Sequence, residues 1–173
     1  MKFSCEKALL TAAVSIASRA VAAKSSIPAM EGILIEADTR LRLTGYNLET
    51  GIQATVPAEI KQPGSLVLSA RLFGEIIRKM PDDVIVFSAD DKLMVSVTCG
   101  DADFHILGLN AADFPELPDV EDDYICTVKQ SVLKTMINGT SFAVSTNESR
   151  IVHTGSLFEI GAGMLTVVSV DGF

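Results

Sequence analysis

The chain contains few of the residues that carry out chemistry, and their spacing does not assemble a catalytic site. Its two histidines are His105 and His153. A thiolate nucleophile needs a histidine base beside it, and Cys126 with His153 is one combination to consider. No third group that would orient the histidine follows at a recognisable spacing, and His105 falls at an outward position of a predicted strand. The pattern therefore does not indicate nucleophilic catalysis.

Paired carboxylates are the second feature that could do chemistry, because neighbouring acids can bind a metal ion. Asp82-Asp83 and Asp90-Asp91 both fall at predicted turns, where acidic side chains serve solvation and turn geometry. Gly161-Ala162-Gly163 predicts a hairpin turn rather than a phosphate-binding loop. No P-loop, His-Glu-x-x-His or Gly-x-Ser-x-Gly motif occurs. The sequence therefore predicts a protein that is not an enzyme and that carries no cofactor and no metal.

The charged residues are unevenly distributed along the chain. There are 14 Lys and Arg against 22 Asp and Glu, and the net charge of −8 argues against adhesion to nucleic acid through bulk charge. Most acids fall on predicted strands and turns, whereas eight cations fall on or beside predicted helices. These eight are Lys7, Arg19, Lys24, Arg71, Arg78, Lys79, Lys129 and Lys134. Two interpretations stay open: an ordinary solvated surface, or a surface that holds DNA loosely through its phosphates.

Hydrophobic periodicity predicts three helices that carry or adjoin these cations, at residues 6–18, 70–80 and about 130–139. Ser69 is a suitable N-cap for the second helix, and Pro81 ends it. The residues expected to face the core are Leu10, Ala13, Val14 and Ala17 in the first helix, Leu72, Phe73, Ile76, Ile77 and Met80 in the second, and Val132, Leu133, Met136 and Ile137 in the third.

Two internal repeats organise the segments around the helices. Residues 33–41 match residues 85–93 at a shift of 52, and each segment alternates apolar residues around a turn. This pattern predicts a hairpin continued into a third strand. Residues 7–14 match residues 130–137 at a shift of 123. The first unit is therefore expected to be strand, helix and three strands, used twice, in an α+β fold with helices on one side and antiparallel sheets on the other.

The repeat also predicts the domain boundaries. We expect a first domain at 1–118, an acidic linker at 119–123 and a second domain at 124–173. Two prolines and a run of acids between 110 and 123 predict a stiff, self-repelling connection. The second unit is expected to be incomplete, and a third domain to be absent from this chain.

One apolar segment resembles a targeting sequence. Residues 8–23 have the composition of a signal-peptide core, but Arg19 interrupts it and its counterpart recurs in mid-chain, so secretion is disfavoured. No apolar run reaches the length of a membrane span. Cys5, Cys99 and Cys126 lack ligand spacing and are typical of small buried residues in a reducing compartment. The expected location is the cytoplasm, with no membrane partner.

Four segments resemble the bacterial sliding-clamp family, the beta subunit of DNA polymerase III. They are MKFSCEKALL at the N-terminus, LTGYNLE at 43–49, SARLF at 69–73 and, most specifically, AADFPELP at 111–118. The resemblance implies the DNA-clamp fold with three such units per chain. Two chains would close head to tail into a ring, with helices lining the hole and antiparallel sheets outside. The ring would encircle duplex DNA without sequence preference as a processivity factor, and would tether polymerase and repair proteins.

The resemblance also implies the residues that make contacts. The positions that match DNA contacts, or lie with them on the helix layer, are Lys24, Arg71, Arg78, Asn147 and Arg150. The positions that match part of a groove for partner peptides are His153, Val170, Gly172 and Phe173. Ile151 and Val152 stand where some relatives have DNA-contacting tyrosines, and neither can stack on a base.

The implied partners are double-stranded DNA, the DNA polymerase III core, the clamp loader and other proteins with a clamp-binding motif, with a homodimer in the full-length protein. The alternative is a protein-binding adaptor of the same fold that does not encircle DNA. That alternative predicts no preference of the helix face for phosphate.

Overall fold

The computed structural model describes residues 1–119 and 125–172. The chain divides into two compact units, Met1–Pro118 and Asp119–Phe173, and each is described by itself. Residues 120–123 of the predicted linker, the predicted restart at Tyr124 and the predicted groove residue Phe173 lie outside the described residues.

The first unit contains two helices and nine strands. In chain order these are β1 (Lys2–Glu6), α1 (Lys7–Ala17), β2 (Gly32–Ala37), β3 (Leu41–Tyr46), β4 (Gly51–Val56), β5 (Glu59–Gln62), β6 (Gly64–Ser69), α2 (Ala70–Lys79), β7 (Val84–Ala89), β8 (Met94–Cys99) and β9 (Ala102–Leu107). Short 3₁₀ turns cover Ser18–Ala20, Pro28–Glu31 and Ala111–Asp113. One antiparallel sheet has the order β4-β3-β2-β6, and the other has the order β5-β1-β7-β8-β9.

The predicted succession of strand, helix and three strands occurs twice, and the shift of 52 joins the starts of β2 and β7. Strand β5 was not predicted. It is short and mostly exposed, with only Ile60 partly buried, so it lacks the apolar alternation that marks the other strands. Its pairing with β1 places Ser4 opposite Glu59, whose carboxylate accepts a hydrogen bond from the Ser4 hydroxyl at 3.0 Å.

The helices bury one side each, as their periodicity predicts. All four residues predicted for the core side of α1 are buried. The Ser69 hydroxyl accepts a hydrogen bond from the Leu72 N–H at 3.5 Å, which confirms the N-cap of α2. Phe73 and Ile77 of α2 and Met80 directly after it are buried, and Ile76 is partly buried. The prediction for Leu72 is wrong, because it lies about 100° from Phe73 around the helix, at the margin of the apolar stripe, and is 44% exposed.

Both helices and both sheets share one apolar core. Phe87 on β7 stacks on Phe3 of β1 with ring centroids 4.6 Å apart, and it meets the edge of Phe73 from α2 at 6.2 Å. All three rings are fully buried. A side chain on Gly45 of β3 would collide with the carbonyl oxygen of Ala17, so glycine allows the end of α1 to approach this strand. The core therefore holds α1 and α2 in fixed positions, with their other faces free for solvent.

The second unit contains α3 (Gln130–Thr140), β10 (Leu157–Gly161) and β11 (Met164–Val168), with 3₁₀ turns at Ser141–Ala143 and Glu148–Thr154. The helix lies 123 positions after α1, as the repeat predicts. The two strands pair as an antiparallel hairpin. Its turn residues Ala162 and Gly163 have φ of 50° and 77°, values of the tight turns that join hairpin strands. The predicted hairpin turn is confirmed.

The prediction that α3 buries its apolar face is wrong. Val132 and Ile137 are 47% and 43% exposed, and Leu133 and Met136 are only partly buried. None of residues 125–172 is buried. Among these residues α3 is covered by β11, whereas α1 of the first unit is covered by α2, β3 and β4. A two-stranded hairpin has too little surface to enclose the helix.

The thiols follow the same division. Cys5 and Cys99 of the first unit are buried as predicted, and burial raises the pKa of the Cys5 thiol. Cys126 is exposed, so the prediction is wrong there, because no core forms around it in its unit. In the described parts of the chain, no helix combines the length and the apolar character that crossing a membrane requires.

Candidate nucleic-acid interface

An open groove of about 680 Å³ runs between α1 and α2 in the first unit. Val14 and Ile77 from the core contribute to its lining. Its other lining residues include Thr11 and Ser15 of α1, Ser18 directly after α1, Ser69 before α2, and Arg71 and Arg78 of α2. Gly74 faces Val14 of α1, since a Cβ built there would lie 3.6 Å from a Val14 methyl group. The groove thus has one wall of small neutral residues and one wall that carries arginines.

Arg71 and Arg78 lie two turns apart on α2, about 10 Å along the helix axis at 1.5 Å per residue. Both side chains belong to exposed residues that line the groove. Arg71 lies in the first turn of α2, where the N-terminal amide groups add positive potential. In the described segments neither arginine forms an ion pair. The structure therefore brings these two predicted residues together at a surface where their charges are available to an anion.

Other cations of the first unit form ion pairs within the protein. Lys7 donates to Asp82 at 2.8 Å, and this hydrogen bond together with the lysine charge lowers the pKa of the Asp82 carboxyl. Arg42 lies 3.3 Å from Glu36 across the pair of strands β2 and β3. Lys7 lies at the start of α1, as the sequence predicts, and its ammonium group forms an ion pair with an acid of the protein.

Lys24 is exposed on the loop that follows α1, beside the same groove. The preceding residues Ala22 and Ala23 line the groove, as does Glu31. The Ala22 N–H donates to the Met30 carbonyl oxygen at 3.1 Å. On the other side of Lys24, the Ser25 N–H donates to Glu31 Oε1 at 3.1 Å. Hydrogen bonds to Met30 and Glu31, in the turn Pro28–Glu31, thus hold the backbone on both sides of Lys24.

The second unit places four predicted residues around one small cavity of about 210 Å³. Asn147, Arg150, His153 and Gly172 line it, together with Ser145, Ser149 and Asp171. Asn147 Oδ1 accepts from the Ser149 N–H at 3.0 Å. His153 Nδ1 is buried and, within the described residues, has no hydrogen-bond partner.

Glycine is required beside this histidine. A Cβ on Gly172 would lie 2.6 Å from His153 Nδ1, and Gly172 has a φ of +86°. Asn147 and Arg150, which the resemblance assigns to DNA, therefore share one cavity with His153 and Gly172, which it assigns to partner peptides. Val170 is 47% exposed and is not part of this lining.

The residues considered for catalysis have structural roles. Asp90 Oδ1 accepts from the N–H groups of Lys92 and Met94 at 2.9 Å each, and Asp83 Oδ1 accepts from the Val84 N–H at 2.7 Å. His105 is exposed, as predicted, and lies 3.4 Å from Asp103. Cys126 does not line the cavity that holds His153. In the part of the chain that the structure describes, no three potential ligands cluster as a metal site would require.

Sequence reasoning missed the contribution of Glu31 to the groove. A search for clustered cations passes over a single acid. The hydrogen bond from the Ser25 N–H to the Glu31 carboxylate depends on the path of the loop between them, which the sequence does not reveal. The sequence signal that was available is local: Pro28 begins a turn that ends at Glu31, shortly after Lys24.

Comparison with known proteins gives one consistent result. Residues 1–118 match the family described as DNA polymerase III beta subunit, N-terminal domain. The chain is 36% identical to the beta sliding clamp of Halalkalibacterium halodurans, over 99% of this chain and 47% of that protein. It is 32% identical to the beta sliding clamp of Bacillus subtilis, over 99% of this chain and 48% of that protein.

Solved structures agree with this result. The Bacillus subtilis DNA polymerase sliding clamp matches with a TM-score of 0.93 at 32% identity. The beta subunit from the DNA polymerase of Streptococcus pyogenes matches with a TM-score of 0.92 at 30% identity. Each comparison covers 99% of this chain and 47% of the other. The chain thus spans about half the length of the relatives that it matches. With its family match and its α+β clamp fold, the chain belongs to the DNA polymerase III beta subunit family of sliding clamps.

Proposed function

We propose that the complete protein is a DNA polymerase processivity factor, a ring-shaped sliding clamp that encircles duplex DNA and tethers polymerase and repair proteins. In this role it is a non-catalytic accessory subunit of DNA polymerase III in the cytoplasm. Membership of the clamp family supports the proposal, and the groove between α1 and α2 supports the part that concerns DNA.

The observation that carries the DNA proposal is the pair of unneutralised arginines on α2 opposite small neutral side chains on α1. Arginine binds phosphate oxygens strongly. The facing wall contains Thr11 and Ser15 of α1 and Ser18 directly after it, and no aromatic ring for base stacking. Contacts of this kind fix a protein on the backbone without reading the sequence. We assign Lys24, Arg71 and Arg78 to this surface, and Asn147 and Arg150 to a second DNA-facing loop.

The partners follow from the same proposal. They are double-stranded DNA, the DNA polymerase III core, the clamp loader and other proteins with a clamp-binding motif. We assign part of the peptide groove to His153, Val170, Gly172 and Phe173. The domains are taken as 1–118, a linker at 119–123 and a second domain from 124 onward.

Strand β9 is a suitable edge for joining two copies into a ring. It ends its sheet, so its outer backbone groups are open to a further strand. Phe104 and Leu107 on this strand are 37% and 65% exposed. We propose that β9 contributes to the homodimer of the complete protein.

Substitution Leu107→Asp is expected to weaken that dimer, because a buried carboxylate at the subunit contact would be unpaired. We expect the dimer dissociation constant to rise about tenfold or more, measured by analytical ultracentrifugation. The control is Val86→Asp on the central strand β7, which is 38% exposed and introduces the same charge away from the edge. Equal weakening by both variants would contradict the assignment of β9.

The overall proposal is tested by the mass and shape of the complete protein in solution. Native mass spectrometry and negative-stain microscopy are expected to show a dimer in the form of an annulus. An elongated monomer that binds partner proteins but not duplex DNA would support an adaptor instead.

A further inference from the structure

A carboxylate lies among the cations of the first-unit groove. Glu31 ends the turn Pro28–Glu31, is exposed, and lines the groove together with Arg71 and Arg78. Over residues 1–119 and 125–172, Glu31 forms no ion pair with either arginine. Its charge therefore faces the same space as theirs without being cancelled by direct contact.

The same carboxylate also fixes the loop that presents Lys24. Glu31 Oε1 accepts the hydrogen bond from the Ser25 N–H at 3.1 Å, directly after Lys24 in the chain. The Ser25 hydroxyl in turn accepts from the Ile27 N–H at 3.1 Å. If the bond between Glu31 and Ser25 were lost, the backbone on the C-terminal side of Lys24 would be held less firmly.

We propose that Glu31 sets the strength of DNA binding in this groove through two separable effects. As a positioning residue, it holds the Lys24 loop in place through the bond to Ser25. As a negative charge beside the arginines, it weakens the attraction of the groove for phosphate. This inference rests on the proposed function. Weak phosphate attraction suits a protein that must move along DNA, since each step breaks contacts with the backbone.

Two substitutions separate the effects. Glu31→Gln removes the charge but keeps a side-chain oxygen that can accept from Ser25. Glu31→Ala removes both the charge and the acceptor. Because Glu31 is exposed, neither change should unfold the protein, which circular dichroism and thermal unfolding will check.

The experiment measures binding of the complete protein to a short fluorescent DNA duplex by anisotropy over a range of salt concentrations. We expect Glu31→Gln to bind about two- to fivefold more tightly than wild type at low salt, with the gain shrinking as salt screens the charge. Glu31→Ala is expected to bind more weakly than Glu31→Gln, because its Lys24 loop is no longer fixed. In a Lys24→Ala background, the difference in affinity between Glu31→Gln and Glu31→Ala should disappear.

Two outcomes overturn the proposal. If Glu31→Gln binds no more tightly than wild type, the charge of Glu31 does not moderate the groove. If the duplex affinities of Glu31→Gln and Glu31→Ala differ by the same factor with Lys24 present and in the Lys24→Ala background, Glu31 does not act through the Lys24 loop.

An Arg71→Ala variant, measured in parallel, distinguishes these failures from failure of the proposed function. If Arg71→Ala binds duplex as wild type does, the groove is not the DNA site, and both proposals fail. If Arg71→Ala weakens binding while Glu31→Gln changes nothing, only the inference about Glu31 is overturned.

Discussion

Reversing the charges of Lys24 and Arg71 together is expected to reduce direct binding of duplex DNA by about 10- to 100-fold at low salt. Arg71 lines the groove between α1 and α2 and Lys24 is exposed on the loop beside it. In the described residues neither forms an ion pair that would have to be broken first. The variant Lys24→Glu with Arg71→Glu places acids where phosphates would lie. Anisotropy measured over a salt series should also give a shallower dependence of log Kd on log salt, because fewer counterions are released.

The matched control is Arg40→Glu with Lys92→Glu. Both residues are exposed in turns between strands, away from the groove, and the double variant makes the same change in net charge. We expect it to lower the affinity far less, with assembly of the complete protein unchanged in both variants. Equal losses would show that bulk charge, and not the groove, governs binding.

Truncation of Phe87 is expected to have the largest effect on stability. Its ring is fully buried between Phe3 and Phe73, so it joins β1, β7 and α2 in one contact. Phe87→Ala removes that burial and leaves a cavity, which costs about 3–5 kcal/mol of the free energy of unfolding. Urea denaturation followed by circular dichroism measures this cost.

The control for this substitution is the preceding residue on the same strand. Val86 points to the other face of the sheet and is 38% exposed, so Val86→Ala should cost about 1 kcal/mol or less. A similar cost for both variants would contradict the assignment of Phe87 to the centre of the core.

Sequence periodicity predicted the elements that depend on local pattern. The core face of α1 follows from helical spacing, and the match between β2 and β7 follows from the repeat at a shift of 52. The N-cap at Ser69 follows from residue type. These features were predictable because the signal and its structural consequence lie within one element.

Features that depend on distant partners were not predictable in the same way. Val132 and Ile137 on α3 have the spacing of core residues, but they stay exposed where only a hairpin covers the helix. The ion pair of Lys7 and Asp82 joins positions far apart in sequence. In both cases the outcome depends on which surface another element supplies, and periodicity carries no information about that surface.

The sequence supplied candidate residues for the site but not their arrangement. The cations on or beside the predicted helices include Lys24, Arg71 and Arg78, and the family resemblance matches Lys24 and Arg71 to DNA contacts. The groove itself and the place of Glu31 in it required the packing of α1 against α2 and the path of the loop after α1. The assignment of individual DNA and peptide contacts stays a prediction, and the variants above test Lys24 and Arg71.

The decisive measurement for encirclement is retention of the complete protein on circular DNA. The complete protein is loaded onto a nicked DNA circle, washed at high salt, and followed before and after the circle is cut to a linear form. Since encirclement and not affinity would hold the protein, we expect it to stay on the circle at salt that abolishes direct binding, and to leave the linear form through the free ends. Equal loss from circular and linear DNA at the same salt would contradict encirclement.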